Sequence, residues 1–201
     1  MSEWASLGPQ TGADGLARCP WADGSDDYRD YHDAEWGRPL RGDDALFERL
    51  TLEAFQSGLS WLTILRKRPA FRAAFAGFSI PAVATFGEAD RARLLADAGI
   101  VRNRAKVDAA IANARAALRL LDAEGEGALD RMLWSFAPQP GPPRLVMGDL
   151  PAQTPESAAL AKALKRQGFV FVGPTTMYAL QQAVGMVDDH LAGCWRRGQS
   201  G

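Results

Sequence analysis

The sequence holds only two cysteines and two histidines among 201 residues. That scarcity excludes a disulfide-dense scaffold. Residues 1–10 show no basic stretch followed by an apolar one, so no export signal is read there. No apolar run approaches the roughly 20 residues that a membrane span requires, and the chain is expected to be soluble, cytoplasmic and without membrane contact. Neither sign of charge dominates: the formal net charge is -1. Any polyanion must therefore be held by a local basic patch or by backbone amides. Internal repeats and low-complexity tracts are absent. The only strand-like run, Phe169-Val170-Phe171-Val172, is too short and too isolated to build a sheet.

What remains is helical. At 47% hydrophobic the chain can bury one sizeable core. Asp43 and Asp44 are N-cap candidates for a helix carrying Leu46, Phe47, Leu50, Ala54 and Phe55 at helical spacing, ending near Gly58. A second helix, from Trp61 to Arg68, is predicted to stop before Pro69, with Phe71, Phe75 and Phe78 carrying the apolar face into a third. Further helices follow near residues 88–98, 103–122, 129–136, 156–167 and 175–184, with a Pro-rich break at 138–143. The class is all-α. Residues 1–17, rich in glycine and small polar side chains, read as a flexible leader, 18–195 as one domain, and 196–201 as a flexible tail.

The scarce residues form one set. Cys19 and His32 lie near one end of the chain, and His190-Leu191-Ala192-Gly193-Cys194 near the other. If that last stretch is helical, its i, i+4 spacing puts imidazole and thiol on one face. Two thiolates and two imidazoles are the donor set of a closed tetrahedral zinc site, which would staple the two ends together. A Cys19–Cys194 disulfide, or four separately buried side chains, are the alternatives.

Two further stretches carry chemistry. In Leu94-Leu95-Ala96-Asp97-Ala98-Gly99-Ile100-Val101-Arg102-Asn103-Arg104-Ala105-Lys106 a helix meets Gly99, which can take a positive φ, and a new helix starts after two apolar anchors. The outward amides of that new N-terminus, with Arg102, Arg104 and Lys106 and no acid among residues 100–106, make a phosphate site; the bland reading is a helix pair with a solvated basic face. Earlier, Tyr28, Tyr31, Trp36 and Trp61 crowd around Glu53, the one acid in an otherwise uncharged run from 51 to 64. A carboxylate on an apolar face is costly unless it is paired or has a task. Rings around one carboxylate suit a planar, cationic, hydrogen-bonding ligand such as a nucleobase. Core packing of the rings is the structural alternative.

Taken together, Arg18-Cys19-Pro20-Trp21, Tyr31-His32-Asp33-Ala34-Glu35-Trp36-Gly37, Gly58-Leu59-Ser60-Trp61, Ala98-Gly99-Ile100-Val101-Arg102, Gly168 to Thr176 and the His190 to Cys194 run resemble the bacterial 3-methyladenine DNA glycosylase I family. The resemblance extends over about nine-tenths of the chain. It implies a helix-hairpin-helix DNA glycosylase fold with one structural zinc ion per chain, joining the N- and C-terminal segments through Cys19, His32, His190 and Cys194. It implies excision of 3-methyladenine from double-stranded DNA, initiating base excision repair, by an enzyme expected to act as a monomer. Glu53 falls on the catalytic position, Tyr31 and Trp61 on the base pocket, and Tyr28, Trp36 and Trp21 on its lining. Leu59 stands where such enzymes fill the gap left by an extruded base, and Gly99, Val101, Arg102, Arg104 and Lys106 lie on the DNA-backbone hairpin. One departure is Asp188-Asp189 before His190, where the family pattern has Asn-Asp. The competing reading is a non-catalytic, zinc-stabilised helix-hairpin-helix DNA-binding protein, which would leave Glu53 and its rings idle.

Overall fold

A computed structural model describes residues 3–199; the first two residues of the expected leader and the last two of the expected tail lie outside the described residues. The described chain is built from α1 (Asp26–Ala34), α2 (Asp43–Gln56), α3 (Trp61–Ala74), α4 (Ile80–Ala84), α5 (Glu88–Ala96), α6 (Arg104–Glu124), α7 (Ala128–Trp134), α8 (Pro155–Arg166) and α9 (Pro174–Ala183). The strands among the described residues are two-residue pieces, Gln10–Thr11 and Ala17–Arg18, paired antiparallel.

α2 is central. Leu46, Phe47, Leu50, Leu52 and Phe55 are all buried on it, and they join Phe71, Phe75 and Phe78 in one core that also takes in α4, α6 and α9. The N-cap of α2 is Gly42, not an aspartate. Asp43 and Asp44 sit in its first turn, where negative charge suits the dipole, and each caps a neighbour instead. Asp43 accepts from the Gly127 and Asp130 N–H groups at 2.6 and 2.9 Å at the start of α7, and Asp44 accepts from the Ile80 N–H at 2.9 Å at the start of α4.

α3 departs from expectation in running through Pro69. A mid-helix proline costs about 3 kcal/mol. Ile64 on one side of it and Phe71 on the other are fully buried, and that packing keeps the helix continuous. The run 169–172 forms no strand: the Asn113 side chain donates to the Val170 carbonyl and accepts from its N–H at 3.0 and 2.8 Å, completing the backbone bonds a sheet would have supplied.

The two ends meet. The Trp195 N–H donates to the Ala17 carbonyl at 2.8 Å, and the Met147 N–H to the Leu7 carbonyl at 3.0 Å. Arg18 is buried between Asp14 and Asp33. The segment read as a leader thus has structure from Glu3 onward: a 3-10 turn over Glu3–Ser6, then the two-strand hairpin. Arg197 likewise donates to the His190 carbonyl at 2.5 Å inside the expected tail. Backbone partners from distant segments order both stretches, and composition does not record such partners.

Candidate active site and metal cluster

Helix α1 starts at Ser25, whose side chain accepts from the Tyr28 N–H at 3.2 Å, and carries Tyr28 and Tyr31 on one face. That face meets Trp61 at the first turn of α3, Glu53 and Gln56 on α2, and Ala179, Gln182 and Ala183 on α9. Trp21, Trp36, Met147 and Leu150 close the rest. They enclose a cavity of about 540 Å³, within the range that holds a small organic molecule. The rings are fixed against each other: Trp21 lies edge-on to Trp36 at 5.1 Å and to Tyr28 at 5.9 Å, and Tyr31 is tilted on Trp61 at 5.5 Å. The Tyr28 hydroxyl accepts from the Leu62 N–H at 3.1 Å, tying α1 to α3.

Glu53 is 5% exposed and makes no hydrogen bond within the described residues. Burial pushes its carboxyl up to about 7, against the opposing pull of the Arg49 guanidinium. Burial also raises the Tyr31 hydroxyl, which remains protonated and able to donate. The cavity therefore presents electron-rich ring faces and one carboxyl group with free hydrogen-bonding capacity. All six residues expected at the pocket, Trp21, Tyr28, Tyr31, Trp36, Glu53 and Trp61, line it.

Gln182 and Gln56 were missed. Gln182 shares a face of α9 with Ala179 and Ala183, a small-residue stripe with one amide in it, which is a legible pattern. Its Nε2 donates to Asp189 at 2.9 Å, and Asp189 also accepts from the Tyr178 hydroxyl. Met147 and Leu150 lie beyond the Pro-rich break, where no periodicity points at them.

Behind the ring wall, the ligand atoms of Cys19, His32 and Cys194 all lie within 4.8 Å of one another, and all three residues are buried. His190 stands beside them, its ring 5.1 Å from that of His32. Residues 190–194 are not helical but form a turn with Gly193 at φ 88°, so the i, i+4 argument fails: Cys194 joins the cluster, and His190 lies beside it rather than within it. Both imidazoles hold a carboxylate at Nδ1, His32 with Asp33 and His190 with Asp188, each at 2.8 Å. That leaves both Nε2 atoms uncommitted to the carboxylates. His32 Nε2 lies 3.4 Å from Cys194 Sγ, and His190 Nε2 is buried without a partner. The Leu191 N–H points at Cys19 Sγ at 3.4 Å. The Cys194 thiol is held below its ordinary value by its hydrogen bonds with Cys19 and His32. Both cysteines are free in the structure. Gly37 makes the room: a Cβ there would come within 2.6 Å of the His190 ring.

The turn between α5 and α6 spans residues 97–103. Gly99 does not take a positive φ. A side chain there would meet Asp97 Oδ1 at 2.9 Å and Ala70 Cβ at 3.0 Å, so the glycine serves close packing against α3. Ile100 is buried, Val101 packs on the core, and Asn103 caps α6 through the Lys106 N–H at 3.1 Å. Arg102 and Arg104 are exposed and make no ion pair within the described residues. Lys106 is a correction. It is buried, and its Nζ donates to the Phe55 and Ser57 carbonyls at 2.8 and 2.5 Å, so its charge satisfies the C-terminus of α2 rather than facing outward. The same contact sets the hairpin beside the α2–α3 turn, where Leu59 is 40% exposed.

Asp130, which lies beyond the hairpin, accepts from Arg41 and the Gly42 N–H at 2.8 and 2.7 Å and is committed to the fold.

The chain as a whole is similar to known proteins. The methyladenine glycosylase family model matches residues 21–197. DNA-3-methyladenine glycosylase 1 of Escherichia coli is 45% identical over 181 residues, 89% of this chain and 96% of that protein. DNA-3-methyladenine glycosylase of Haemophilus influenzae is 42% identical over 183 residues, 88% of this chain and 96% of its own length. The solved structure of 3-methyladenine DNA glycosylase I from Staphylococcus aureus, described as the basis of 3-methyladenine recognition, superposes with a TM-score of 0.84 at 35% identity, covering 90% of this chain and 96% of that one. Matches of this extent, reached independently from sequence and from fold, mean that the chain belongs to the methyladenine glycosylase family.

Proposed function

We propose that this protein excises 3-methyladenine from alkylated DNA by hydrolysing its N-glycosidic bond, the first step of base excision repair. The observation that carries the reading is the ring-walled cavity with Glu53 as its one carboxyl group. Adenine methylated at N3 is cationic while attached to the sugar and departs as a neutral molecule, so little acid catalysis is required. The protein's contribution is extrusion of the nucleotide and selective binding of the base. The ring faces of Trp61 and Tyr31 attract a cation, worth up to about 2 kcal/mol when desolvated. A carboxylate accepting a hydrogen bond from the adenine edge adds a charge that unmodified adenine cannot exploit. The same anion stabilises positive charge developing on the sugar.

DNA would be held by the α5–α6 hairpin acting as a helix-hairpin-helix module. Support comes from a buried apolar anchor at Ile100, the N-terminus of α6, and unpaired Arg102 and Arg104 at its edge. Leu59, on the adjoining turn, would occupy the gap in the stack. Cys19, His32, His190 and Cys194 would hold one zinc ion. Four protein ligands leave no open position for water, so the metal supplies folding energy rather than a nucleophile. The convergence of Cys19, His32 and Cys194, the buried and unpartnered Nε2 of His190 beside them, and the carboxylates behind both imidazoles support that reading.

The test is chromatography of bases released from methylated DNA. Free 3-methyladenine is expected from the unmodified protein, with losses of at least about 100-fold for Glu53→Gln and Trp61→Ala in folded protein. Release at the normal rate by both variants overturns the pocket assignment. DNA binding with no base release would favour the non-catalytic alternative.

A further inference from the structure

One charged group touches the cavity wall without lining the cavity. Arg49 lies one helical turn before Glu53 on α2, is 3% exposed, and places its guanidinium carbon 5.1 Å from the Trp61 ring centroid and 5.2 Å from that of Tyr31. Its Nη2 donates to Glu35 at 2.5 Å. Glu35 does not depend on that bond, because Arg68 already donates to both of its oxygens at 2.5 and 2.8 Å. The other end of Arg49, Nη1, is buried with no partner. A buried guanidinium with an idle donor is costly. Behind rings that are to bind a cation it is doubly unfavourable, since it draws on the same π electrons. Pairing with Glu35 does not explain its presence; Glu53 does.

We propose that Arg49 is a positioning residue: the counter-charge that keeps Glu53 anionic in the dry cavity and so sets the lower pH limit of base excision. The proposal rests on the reading that an anionic Glu53 holds the cationic base. The charged and titratable groups facing this pair are Tyr28 and Tyr31 on α1 and Glu35 at its end, Glu48 on α2, and Arg68 and Arg72 on α3; α9 contributes only Ala179, Gln182 and Ala183 to the cavity. Arg49 makes no ion pair with Glu53; one turn away on α2 and behind the rings, its charge opposes the effect of burial across a gap. A fixed charge inside the wall has an advantage over one inside the cavity: it holds the carboxylate ready without occupying the base's place.

The experiment has two readouts on the full chain. The first is the pH profile of single-turnover 3-methyladenine release by the unmodified protein and by Arg49→Met, Arg49→Gln and Arg49→Lys. The second, without DNA, is the carboxyl carbon-13 titration of Glu53, assigned by its loss in Glu53→Gln. Removing the opposite charge raises the carboxyl pKa, so the acid limb and the resonance should both move up by about one unit in Arg49→Met and Arg49→Gln. Release below the limb then falls about 10-fold, while rates at high pH converge. Arg49→Lys should restore the limb. A Glu53 resonance titrating at the same pH with and without the guanidinium overturns the proposal. So does titration above pH 8 in the unmodified protein, which needs no variant to fold. If instead Glu53→Gln releases base normally at every pH, the cavity reading fails, and the resonance still judges Arg49 by itself.

Discussion

Holding Glu53 in a dry cavity works against the fold. Its carboxyl has an ordinary value of 4.5 and is raised to about 7 by burial. Between those two values the folded protein binds a proton that the unfolded chain has released. Stability therefore falls as pH rises through that window: the cost is absent below the unfolded value and complete above the folded one. The shift corresponds to about 3 kcal/mol. Glu53→Gln should thus be inactive yet more stable at pH 8 by up to that amount, with no difference near pH 4, as read from urea unfolding at both pH values. Equal stability at the two pH values would mean that the carboxyl is solvated. At this scale the sequence was partly legible. An isolated acid among apolar residues and rings stands out because burying a charge is expensive, which singles out Glu53; the places of Tyr31 and Trp61 come from the family resemblance. Lys106 and Arg49 are not marked out in that way. Whether a cation faces water or a helix C-terminus is decided by which helix end packs beside it, and neighbouring letters carry no record of that.

At the scale of elements, the α5–α6 hairpin is the part with the most exposed consequence. Arg102→Glu with Arg104→Glu removes two cations from a turn where neither is paired. DNA affinity should fall, and the slope of log K against log salt should drop by about 2, with the same thermal midpoint. An unchanged slope would place the DNA elsewhere. The hairpin was legible because local rules build it: Asn103 is a side-chain cap, and Ile100 and Val101 are apolar anchors. Gly99 was assigned the right place for a different reason, since it is needed for approach to Ala70 and not for a left-handed backbone. Pro69 and the Asp43–Asp44 pair show where local rules give way. A buried phenylalanine two residues on holds a helix together across a proline, and carboxylates that read as one helix's cap serve two others.

Across the whole molecule, the distant cysteines and histidines meet where the two ends of the chain join, and the proposed zinc ion would add to the hydrogen bonds there. Cys194 and His32 are 162 residues apart in sequence and 3.4 Å apart in space. Metal analysis of reduced protein should find about one zinc per chain, and Cys194→Ser or a strong chelator should lower the thermal midpoint by more than about 10 °C. An unchanged midpoint would show that hydrogen bonds alone hold the ends. The donor set was visible from residue counts, but the turn at 190–194 was not, because it depends on Gly37 leaving space for an imidazole from the other end of the chain. The docking of the first residues was equally hidden, as it rests on backbone carbonyls.

The Lys106 ammonium binds the last carbonyls of α2 from the first turn of α6. Leu59 and the first amides of α6 thereby hang from a common peg, so that on the DNA-binding reading proposed above their spacing would be a fixed gauge rather than an adjustable grip. A duplex laid on that gauge has to supply the bending itself. Stiff, well-stacked steps will resist being opened, while steps already loosened by a damaged base will yield, so part of the discrimination is made by the mechanics of the nucleic acid before any base enters the cavity.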